Sequence, residues 1–343
     1  MRALVLHAAR DLRLEQRPEP VPGPGEVLVR IARGGICGTD LHYFQDGGFG
    51  TIRVKAPIVL GHEVAGTVTA RGEGVAGIEE GALVALHPLR PCEACSQCRR
   101  GIYNQCLDAR FFGSALYTPH TDGAFSDYVV VPAENCVPAE GLTPGEAAMA
   151  EPLAVCLHAV SIAGSLVGKR VLVTGCGPIG LLTILAARRA GADEIVATDI
   201  SDHVLAMARD AGADRTVNVA TDREAMAQYA AHKGWFASSF ECSGAPAALA
   251  TAIASTAPRG VIVQLGMGGD VAVPLQSITV KELQLRGSFR FYEEYATAVS
   301  LMQKGLIDVK PLISHTVPMT EALPAFDLAA DRSRAMKVHL DFS

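Results

Sequence analysis

The sequence has few aromatic residues and no excess of positive charge. Of its 343 residues, 6% are aromatic and one is tryptophan, whereas 49% are hydrophobic and 19% are charged. The net charge is -6, whereas proteins that bind nucleic acids or acidic lipid surfaces usually carry an excess of positive charge. No internal repeat or low-complexity segment is present. We therefore expect a globular chain of two domains with no nucleic-acid or membrane partner.

Signals for export or membrane insertion are also missing. The first residues, MRALVLHAARDLRLEQ, lack the apolar core and small-residue cleavage site of a secretory signal. The most apolar long stretch, residues 147–168, contains Glu151, Pro152 and His158, which disfavours a membrane span. We expect a cytoplasmic protein, and cysteines in that compartment stay reduced.

Four of the nine cysteines lie close together in the segment PCEACSQCRRGIYNQC. Their spacing is C-x2-C-x2-C-x7-C, from Cys92 through Cys95 and Cys98 to Cys106. A reducing compartment disfavours disulfides, and a redox pair would need a single C-x-x-C at the end of a strand. The remaining alternative is four incidental buried cysteines. We predict a structural zinc site, because four thiolates complete the tetrahedral shell and leave no open position for catalysis.

The two halves of the chain differ in their pattern. Short β-branched segments separated by Gly and Pro occupy the first half: RALVLH, EVLVRIA, VAGTVTA, ALVALH and DYVVV. A helix then begins near Thr143, a plausible N-cap, and Pro144. Strands and helices alternate from there, which predicts an α/β fold with a Rossmann-type, doubly wound parallel sheet.

A glycine-rich turn opens this second half. The segment following the strand VLVT reads G-C-G-P-I-G, and it precedes a helical pattern. Such a turn lets a pyrophosphate approach the backbone and the helix N-terminus. Asp199 ends the next strand, where a carboxylate accepts hydrogen bonds from ribose hydroxyls, although it could instead cap the following helix. We predict NAD binding, with NADP possible, through Gly175, Gly177, Pro178, Ile179, Gly180 and Asp199.

Three further segments contain metal-ligand residue types: CGTDLH, GHEVAG and AEPL. Singly, each has an ordinary interpretation, since Cys37 could fill the core and Glu63 or Glu151 could be solvated. Together with the four-cysteine segment and the glycine-rich turn, they follow the order of a known family. The pattern G-H-E-x2-G-x5-G-x2-V is present from Gly61 to Val75. The chain thus resembles the zinc-containing medium-chain alcohol and polyol dehydrogenases over essentially its full length.

That resemblance implies a second, mostly β domain with a GroES-like fold that holds a catalytic zinc. The implied domains are residues 1–146 with 291–343, including a structural-zinc lobe at about 88–108, and an NAD-binding domain at 147–290. Cys37 and His62 match the first two zinc ligands of the family. The third ligand of its alcohol dehydrogenases is a cysteine, and here that position is Glu151. The chain therefore looks like the polyol branch, in which Glu63 or Glu151 completes the shell.

The resemblance also implies roles in proton transfer and substrate binding. Thr39 and His42 match the family's proton relay from the substrate hydroxyl to the surface. Substrate loops such as RFFGSALYTPHTDGAF favour a sugar acid, with a neutral polyol as the alternative. Candidate substrate contacts are Arg110, His120 and Arg290, and family contacts near the nicotinamide match Leu265, Gly266, Met267, Ser288 and Phe289. The family also implies a homodimer or homotetramer.

Two other classes remain to be considered. A zinc-free reductase of the same fold would lack both the cysteine segment and the Cys37–His62 pair, and this chain has both. A non-enzymatic scaffold that binds NAD or zinc would not need Thr39, His42 and Glu151 in place. One departure from the family is His203, where relatives often have an arginine near the adenosine.

Overall fold

The computed structural model describes residues 1–222 and 224–343. The chain forms two compact units, the first comprising residues 1–151 and 295–343 and the second comprising residues 152–294. The boundaries expected from the sequence, at 146/147 and 290/291, fall a few residues before these.

The first part of the chain is mostly β structure. Its strands are β1 (Arg2–Ala8), β2 (Asp11–Gln16), β3 (Glu26–Gly35), β4 (Gly48–Phe49), β5 (Ile52–Arg53), β6 (Ile58–Val59), β7 (Glu63–Arg71), β8 (Leu83–Leu86), β9 (Leu89–Arg90), β10 (Arg110–Phe111), β11 (Tyr128–Pro132) and β12 (Cys136–Pro138). Its helices are α1 (Gly38–Asp46) and α2 (Pro144–Ala148). The five strands predicted here from β-branched segments correspond to β1, β3, β7, β8 and β11.

Helix α2 begins where the sequence predicts. The Thr143 hydroxyl accepts a hydrogen bond from the Glu146 backbone N–H at 3.3 Å, and a Glu146 side-chain oxygen accepts from the Thr143 N–H at 2.9 Å. This reciprocal capping box satisfies two N–H groups at the helix end. The structure ends α2 at Ala148, and after Met149 the next helix, α3, runs over Ala150–Ala163. Pro152 explains the break, because proline lacks an N–H and crowds the preceding turn.

The second unit contains the alternating strands and helices. After α3 come β13 (Arg170–Thr174), α4 (Pro178–Arg189), β14 (Glu194–Asp199), α5 (Asp202–Asp210), β15 (Arg215–Asn218), α6 (Ala227–Ala230), β16 (Phe236–Glu241), α7 (Pro246–Ser255), β17 (Thr256–Gln264), α8 (Leu275–Lys281) and β18 (Gln284–Gly287). The six strands pair in parallel in the order β15-β14-β13-β16-β17-β18. The order reverses between β13 and β16, which confirms the predicted doubly wound fold.

The chain then returns to the first unit. The last elements are α9 (Glu294–Gln303), β19 (Ile313–Pro318), α10 (Ala322–Ala330) and β20 (Lys337–Asp341). Strand β20 pairs with β3, so the C-terminal segment joins the main sheet, whose order is β12-β8-β7-β3-β20-β19 with β11 also on β3. The buried core of this unit includes Ile31, Val64, Leu86 and Phe125.

Within residues 1–222 and 224–343, no helix combines the length and the hydropathy that crossing a bilayer requires.

Candidate active site

The four cysteines of the predicted structural site converge in the first unit. The sulfurs of Cys92, Cys95, Cys98 and Cys106 all lie within 4.8 Å of one another. Two of the Sγ–Sγ distances are 3.5 Å, from Cys95 to Cys98, and 4.0 Å, from Cys95 to Cys106. A zinc tetrahedron with Zn–S bonds of about 2.3 Å has edges of about 3.8 Å. The four sulfurs therefore fit a zinc ion without rearrangement of the loop.

Backbone N–H groups surround these sulfurs. Cys106 Sγ accepts from the Cys92 N–H at 3.2 Å, and Cys95 Sγ accepts from the Leu107 and Cys98 N–H groups at 3.5 Å each. The bonds from Leu107 and Cys98 lower the pKa of Cys95 to about 6. All nine cysteines lie in the described part of the chain, and each is a free thiol. The loop is thus arranged for thiolates rather than for disulfides.

A second group of ligand atoms forms beside the main sheet. Strand β3 pairs with β7, and this register places Gly35 opposite Glu63. Cys37 follows β3 at the N-cap of α1, and His62 immediately precedes β7. Ligand atoms of Cys37, His62 and Glu63 consequently lie within 4.8 Å of one another.

Asp40 fixes the two loops that supply this group. Its carboxylate accepts from the Cys37 N–H at 3.0 Å and from the Gly61 N–H at 3.2 Å. One of its oxygens lies 3.8 Å from Nδ1 of His62, a buried atom for which no hydrogen-bond partner occurs within the described residues. Asp40 is itself fully buried. It therefore sets the positions of both Cys37 and His62.

The charges of this group call for a cation. Burial and then the nearby Glu63 raise the pKa of the Cys37 thiol to about 12. Burial also raises the pKa of Glu151 to about 8, and the proximity of Glu63 and Cys37 adds to that shift. Each of these acidic groups makes ionisation of the others less favourable. A divalent ion among them removes that repulsion, so that the groups can be ionised together. A thiol, an imidazole and a carboxylate are also the donor types that zinc prefers, so the residues fit a zinc ion.

The structure distinguishes the two glutamates left open by the sequence. Glu63 belongs to the convergent group, whereas Glu151, which is buried at the start of α3, does not. Glu63 also forms a buried ion pair, because Lys337 Nζ donates to its two carboxylate oxygens at 2.8 and 2.7 Å. Sequence reasoning missed Lys337. The only sequence signal for this residue was a lysine at the start of the strand-like segment KVHLD. The sequence does not reveal where that strand lies in the sheet.

The predicted relay residues both lie on α1. Thr39 is half-buried in its first turn, and His42 is exposed one turn later. The His42 ring contacts that of Phe49 at a centroid distance of 4.9 Å, and its Nδ1 lies 3.3 Å from Asp46 Oδ2. His42 can therefore exchange protons with solvent.

The predicted cofactor residues lie at the carboxyl ends of strands in the second unit. Gly175 follows β13 with a φ of +85°, and a Cβ on Gly180 would lie 1.9 Å from the Gly175 carbonyl oxygen, so both positions require glycine. Gly177 is the N-cap of α4, and Pro178 and Ile179 are its first residues. Leu265, Gly266 and Met267 follow β17, and Ser288 and Phe289 follow β18.

Asp199 holds the glycine-rich turn at the end of β14. Its Oδ2 accepts from the Cys176 N–H at 2.7 Å, and its Oδ1 accepts from the N–H groups of Ile200 at 2.7 Å and Ser201 at 3.1 Å. The N-cap of α5 is Ser201, so Asp199 bonds the residues that precede this helix and does not cap it. The ribose contact stays a prediction.

The predicted substrate residues have different surroundings. In the first unit, the Arg110 guanidinium lies 4.5 Å from the Tyr117 ring centroid and 3.2 Å from an Asp108 oxygen. Both ring nitrogens of His120 have partners within the chain, since Nδ1 lies 2.7 Å from the Tyr117 carbonyl oxygen and Nε2 accepts from the Lys55 N–H at 2.9 Å. In the second unit, Arg290 lies 4.9 Å from the Phe289 ring centroid.

Comparison with known proteins places this geometry in a family. Residues 23–141 match the alcohol dehydrogenase GroES-like domain, and residues 178–304 match the zinc-binding dehydrogenase domain. The chain is 46% identical over 318 residues to an L-idonate 5-dehydrogenase (NAD(P)(+)) of Escherichia coli, covering 92% of each chain. It is 40% identical over 343 residues to a sorbitol dehydrogenase of Gallus gallus, covering 98% of this chain and 95% of the relative.

Solved structures show the same architecture. The crystal structure of L-idonate 5-dehydrogenase from Escherichia coli matches with a TM-score of 0.95 and 43% identity, over 99% of this chain and 97% of that one. A zinc-binding dehydrogenase from Sinorhizobium meliloti bound to NADP matches with a TM-score of 0.90 and 30% identity, over 99% of this chain and 98% of that one. The GroES-like domain and the Rossmann-type domain expected from the sequence are thereby confirmed.

Proposed function

Since the chain belongs to the zinc-binding alcohol and polyol dehydrogenases, we propose that it oxidises a secondary hydroxyl of a sugar acid with NAD(P). The substrate we propose is L-idonate, whose oxidation at the 5-hydroxyl gives 5-keto-D-gluconate. The observation that carries the proposal is the convergence of Cys37, His62 and Glu63 within 4.8 Å, in a chain 46% identical to an L-idonate 5-dehydrogenase.

Cys37, His62 and Glu63 would hold the zinc ion, which would supply a Lewis acid for the substrate hydroxyl, and NAD(P) would supply the hydride acceptor. Asp40 keeps the first two ligands in place by accepting from the Cys37 and Gly61 N–H groups. Lys337 holds the Glu63 carboxylate in one orientation through both of its oxygens.

The hydroxyl proton must reach solvent, and α1 supplies groups for that transfer. We assign the Thr39 hydroxyl to the inner step and the His42 imidazole to the outer step. Their burial supports this order, because Thr39 is half-buried and His42 is exposed. An imidazole suits the outer step because its ring nitrogens can both accept and donate a proton.

The four cysteines from Cys92 to Cys106 hold the structural zinc, and residues at the carboxyl ends of β13, β14, β17 and β18 bind the cofactor. We propose that NAD is preferred to NADP, because the Asp199 carboxylate would repel a 2′-phosphate on the ribose. The reduced state of the thiols that this zinc requires favours a cytoplasmic location.

Arg110 is the proposed contact for the substrate carboxylate, with Arg290 facing substrate hydroxyls. A guanidinium binds a carboxylate through two parallel hydrogen bonds, and the Tyr117 ring restricts the orientations of Arg110. His120 is proposed to support this loop, because its two ring nitrogens already bond to the Tyr117 carbonyl and the Lys55 N–H.

We also propose a homo-oligomer, a homodimer or homotetramer, that forms along β18. This strand is the last in its sheet, and all four of its residues are exposed. Leu285 in this strand is 40% exposed, and Leu275 and Val280 in α8, the helix before it in the chain, are 71% and 61% exposed. An edge strand with apolar neighbours is a surface that a second copy would cover. Light scattering after size-exclusion chromatography tests this point, and a monomer would contradict it.

The activity is tested by steady-state turnover of L-idonate, gluconate, sorbitol and xylitol, each with NAD and with NADP. We expect kcat/KM to be highest for L-idonate with NAD. The alternative, a sorbitol or xylitol dehydrogenase, rests on the 40% identity to a sorbitol dehydrogenase and would give the highest value for a neutral polyol. Binding of zinc and NAD without turnover of any of these compounds would point to a scaffold and contradict the proposal.

The carboxylate contact is tested by Arg110→Leu. We expect kcat/KM for L-idonate to fall by at least about tenfold more than that for sorbitol, since a charge-assisted bidentate pair contributes about 1.5–3 kcal/mol. Arg13→Leu is the matched control, because Arg13 also pairs with an aspartate in the same unit, at 2.7 Å from Asp11. Equal losses on both substrates would contradict the assignment of Arg110.

A further inference from the structure

The Glu241 side chain is a fully buried carboxylate at the end of β16. Its Oε1 accepts from the N–H groups of Ser243 at 2.8 Å and Gly244 at 3.1 Å, and its Oε2 accepts from the Gly244 N–H at 2.9 Å. The Ser243 hydroxyl donates to Oε1, and the Gln264 side-chain amide donates to Oε2. One carboxylate therefore binds the loop after β16 and the last residue of β17.

The backbone oxygen of Glu241 makes the same connection. It accepts from the N–H groups of Leu265 and Gly266, both at 2.8 Å, which begin the loop after β17. The two loops therefore have a common anchor in the backbone and in the side chain of one residue.

These loops also pack backbone against backbone. A Cβ on Gly266 would lie 2.0 Å from the Gly244 nitrogen, and a Cβ on Gly268 would lie 2.4 Å from the Gly244 oxygen. No side chains separate the loops, so their spacing depends on the hydrogen bonds that hold them. Glu241 accepts these bonds on the β16 side, through its backbone oxygen from Leu265 and Gly266 and through its carboxylate from the Gln264 side chain.

The position of the loops in the sheet connects them with the cofactor. The strand order reverses between β13 and β16, and a dinucleotide lies across such a reversal at the carboxyl ends of the strands. The glycine-rich turn and Asp199 belong to the β13–β14 side, which takes the adenosine half. The loops after β16 and β17 belong to the other side, which takes the nicotinamide half.

We propose that Glu241 is a positioning residue for the nicotinamide half of the cofactor, an inference that rests on the proposed NAD(P) dependence. Its carboxylate accepts from the Ser243 and Gly244 N–H groups after β16 and from the Gln264 side-chain amide at the end of β17, and so sets the spacing between the two loops without contacting the adenosine half. Loss of one acceptor oxygen then loosens only the β16–β17 side of the site.

The test is calorimetric binding of NAD⁺ and of ADP-ribose, which lacks the nicotinamide, to the zinc-loaded protein. The variant Glu241→Gln keeps the shape of the side chain but replaces one carboxylate oxygen, which accepts hydrogen bonds, with an NH₂ group that faces the N–H donors of the loop. We expect it to weaken NAD⁺ binding about tenfold, which is about 1.4 kcal/mol, and ADP-ribose binding by less than about twofold. If Glu241 served only the global fold, Glu241→Gln would weaken the binding of NAD⁺ and of ADP-ribose equally.

Asp214→Asn is the matched control. Its carboxylate also accepts a backbone N–H, from Ile195 at 2.7 Å, but at the amino end of the parallel sheet. We expect it to change neither affinity by more than about twofold. Unchanged NAD⁺ binding in Glu241→Gln, or equal weakening of both ligands, would overturn the inference. A wild-type protein that binds neither ligand would overturn the proposed function and the inference with it.

If Glu241→Gln does not fold, Ser243→Ala tests the same idea more mildly. It removes the hydroxyl that donates to Oε1 and accepts from the Ala245 N–H at 3.0 Å. We expect Ser243→Ala to weaken the binding of NAD⁺ to a smaller extent and to leave the binding of ADP-ribose unchanged. If this variant binds both ligands as tightly as the wild type does, the inference is contradicted.

Discussion

The buried Glu63–Lys337 pair gives a quantitative prediction for the variant Lys337→Met. The side chains of Lys337 and Glu63 are 4% and 1% exposed, and Lys337 Nζ lies 2.7 and 2.8 Å from the two carboxylate oxygens. Methionine fills a similar volume but, in protein freed of zinc, leaves the carboxylate buried without a cation. Breaking a buried pair in this way costs about 3–5 kcal/mol, so we expect the free energy of unfolding to fall by that amount at pH 7.

The pH dependence of this loss follows from the pKa shifts. Burial alone would raise the pKa of Glu63, but Lys337 and then His62 outweigh it and hold the pKa below its ordinary 4.5. Burial would lower the pKa of Lys337, but Glu63 outweighs it and raises the pKa above 10.5. The carboxylate thus stabilises the fold above pH 4.5 and the ammonium below pH 10.5. The difference in the free energy of unfolding between wild type and Lys337→Met should be largest between pH 4.5 and pH 10.5, and it should shrink as the pH falls below 4.5.

Urea unfolding followed by far-UV circular dichroism measures this difference. Tryptophan fluorescence is unsuitable, because the only tryptophan, Trp235, lies in the second unit. Lys310→Met is the control, because Lys310 pairs with Glu146 at 3.3 Å but is 64% exposed, and such a pair contributes at most about 1 kcal/mol. A loss of less than about 1 kcal/mol for Lys337→Met at pH 7 would refute the reasoning.

Three further substitutions test other parts of the structure. Cys106→Ser should remove the structural zinc and lower the thermal midpoint of the first unit, as measured by metal analysis and calorimetry; full zinc content would contradict this. Asp199→Ala should reduce the ratio of kcat/KM for NAD to that for NADP, and an unaltered ratio would remove Asp199 from the ribose contact. Lys281→Met should destabilise the second unit by about 2 kcal/mol or more, because its buried ammonium donates to the carbonyls of Ile253 at 2.6 Å, Ala254 at 3.0 Å and Thr256 at 2.7 Å. Fluorescence of Trp235, whose backbone N–H donates to the Ser255 carbonyl at 2.7 Å, would follow that unfolding, and a midpoint equal to wild type would contradict the prediction.

The parts of the molecule that sequence alone predicts are those built from neighbours along the chain. The four cysteines of the proposed structural site lie within one loop, so their spacing indicates that they could surround one ion. The turn from Gly175 to Gly180 likewise joins one strand to one helix. The capping of α2 by Thr143 is also local, since Thr143 followed by Pro144 predicts a helix start.

Contacts between distant segments were not predictable in the same way. Lys337 is separated from Glu63 by 274 residues, and the two meet because β20 pairs with β3 beside β7. Glu241 joins two loops through the spacing of strands β16 and β17, which the sequence does not give. Cys37 and His62 were assigned through the family resemblance, since their separation along the chain does not by itself specify a shared ion.

Zinc content and turnover of the variant Cys37→Ser test the central claim most directly. Wild-type protein should contain two zinc ions per chain and oxidise L-idonate. Cys37→Ser should contain one, held by the four cysteines, and should lose turnover while still binding NAD⁺. Two zinc ions in an active Cys37→Ser variant, or one zinc ion in fully active wild-type protein, would contradict the account.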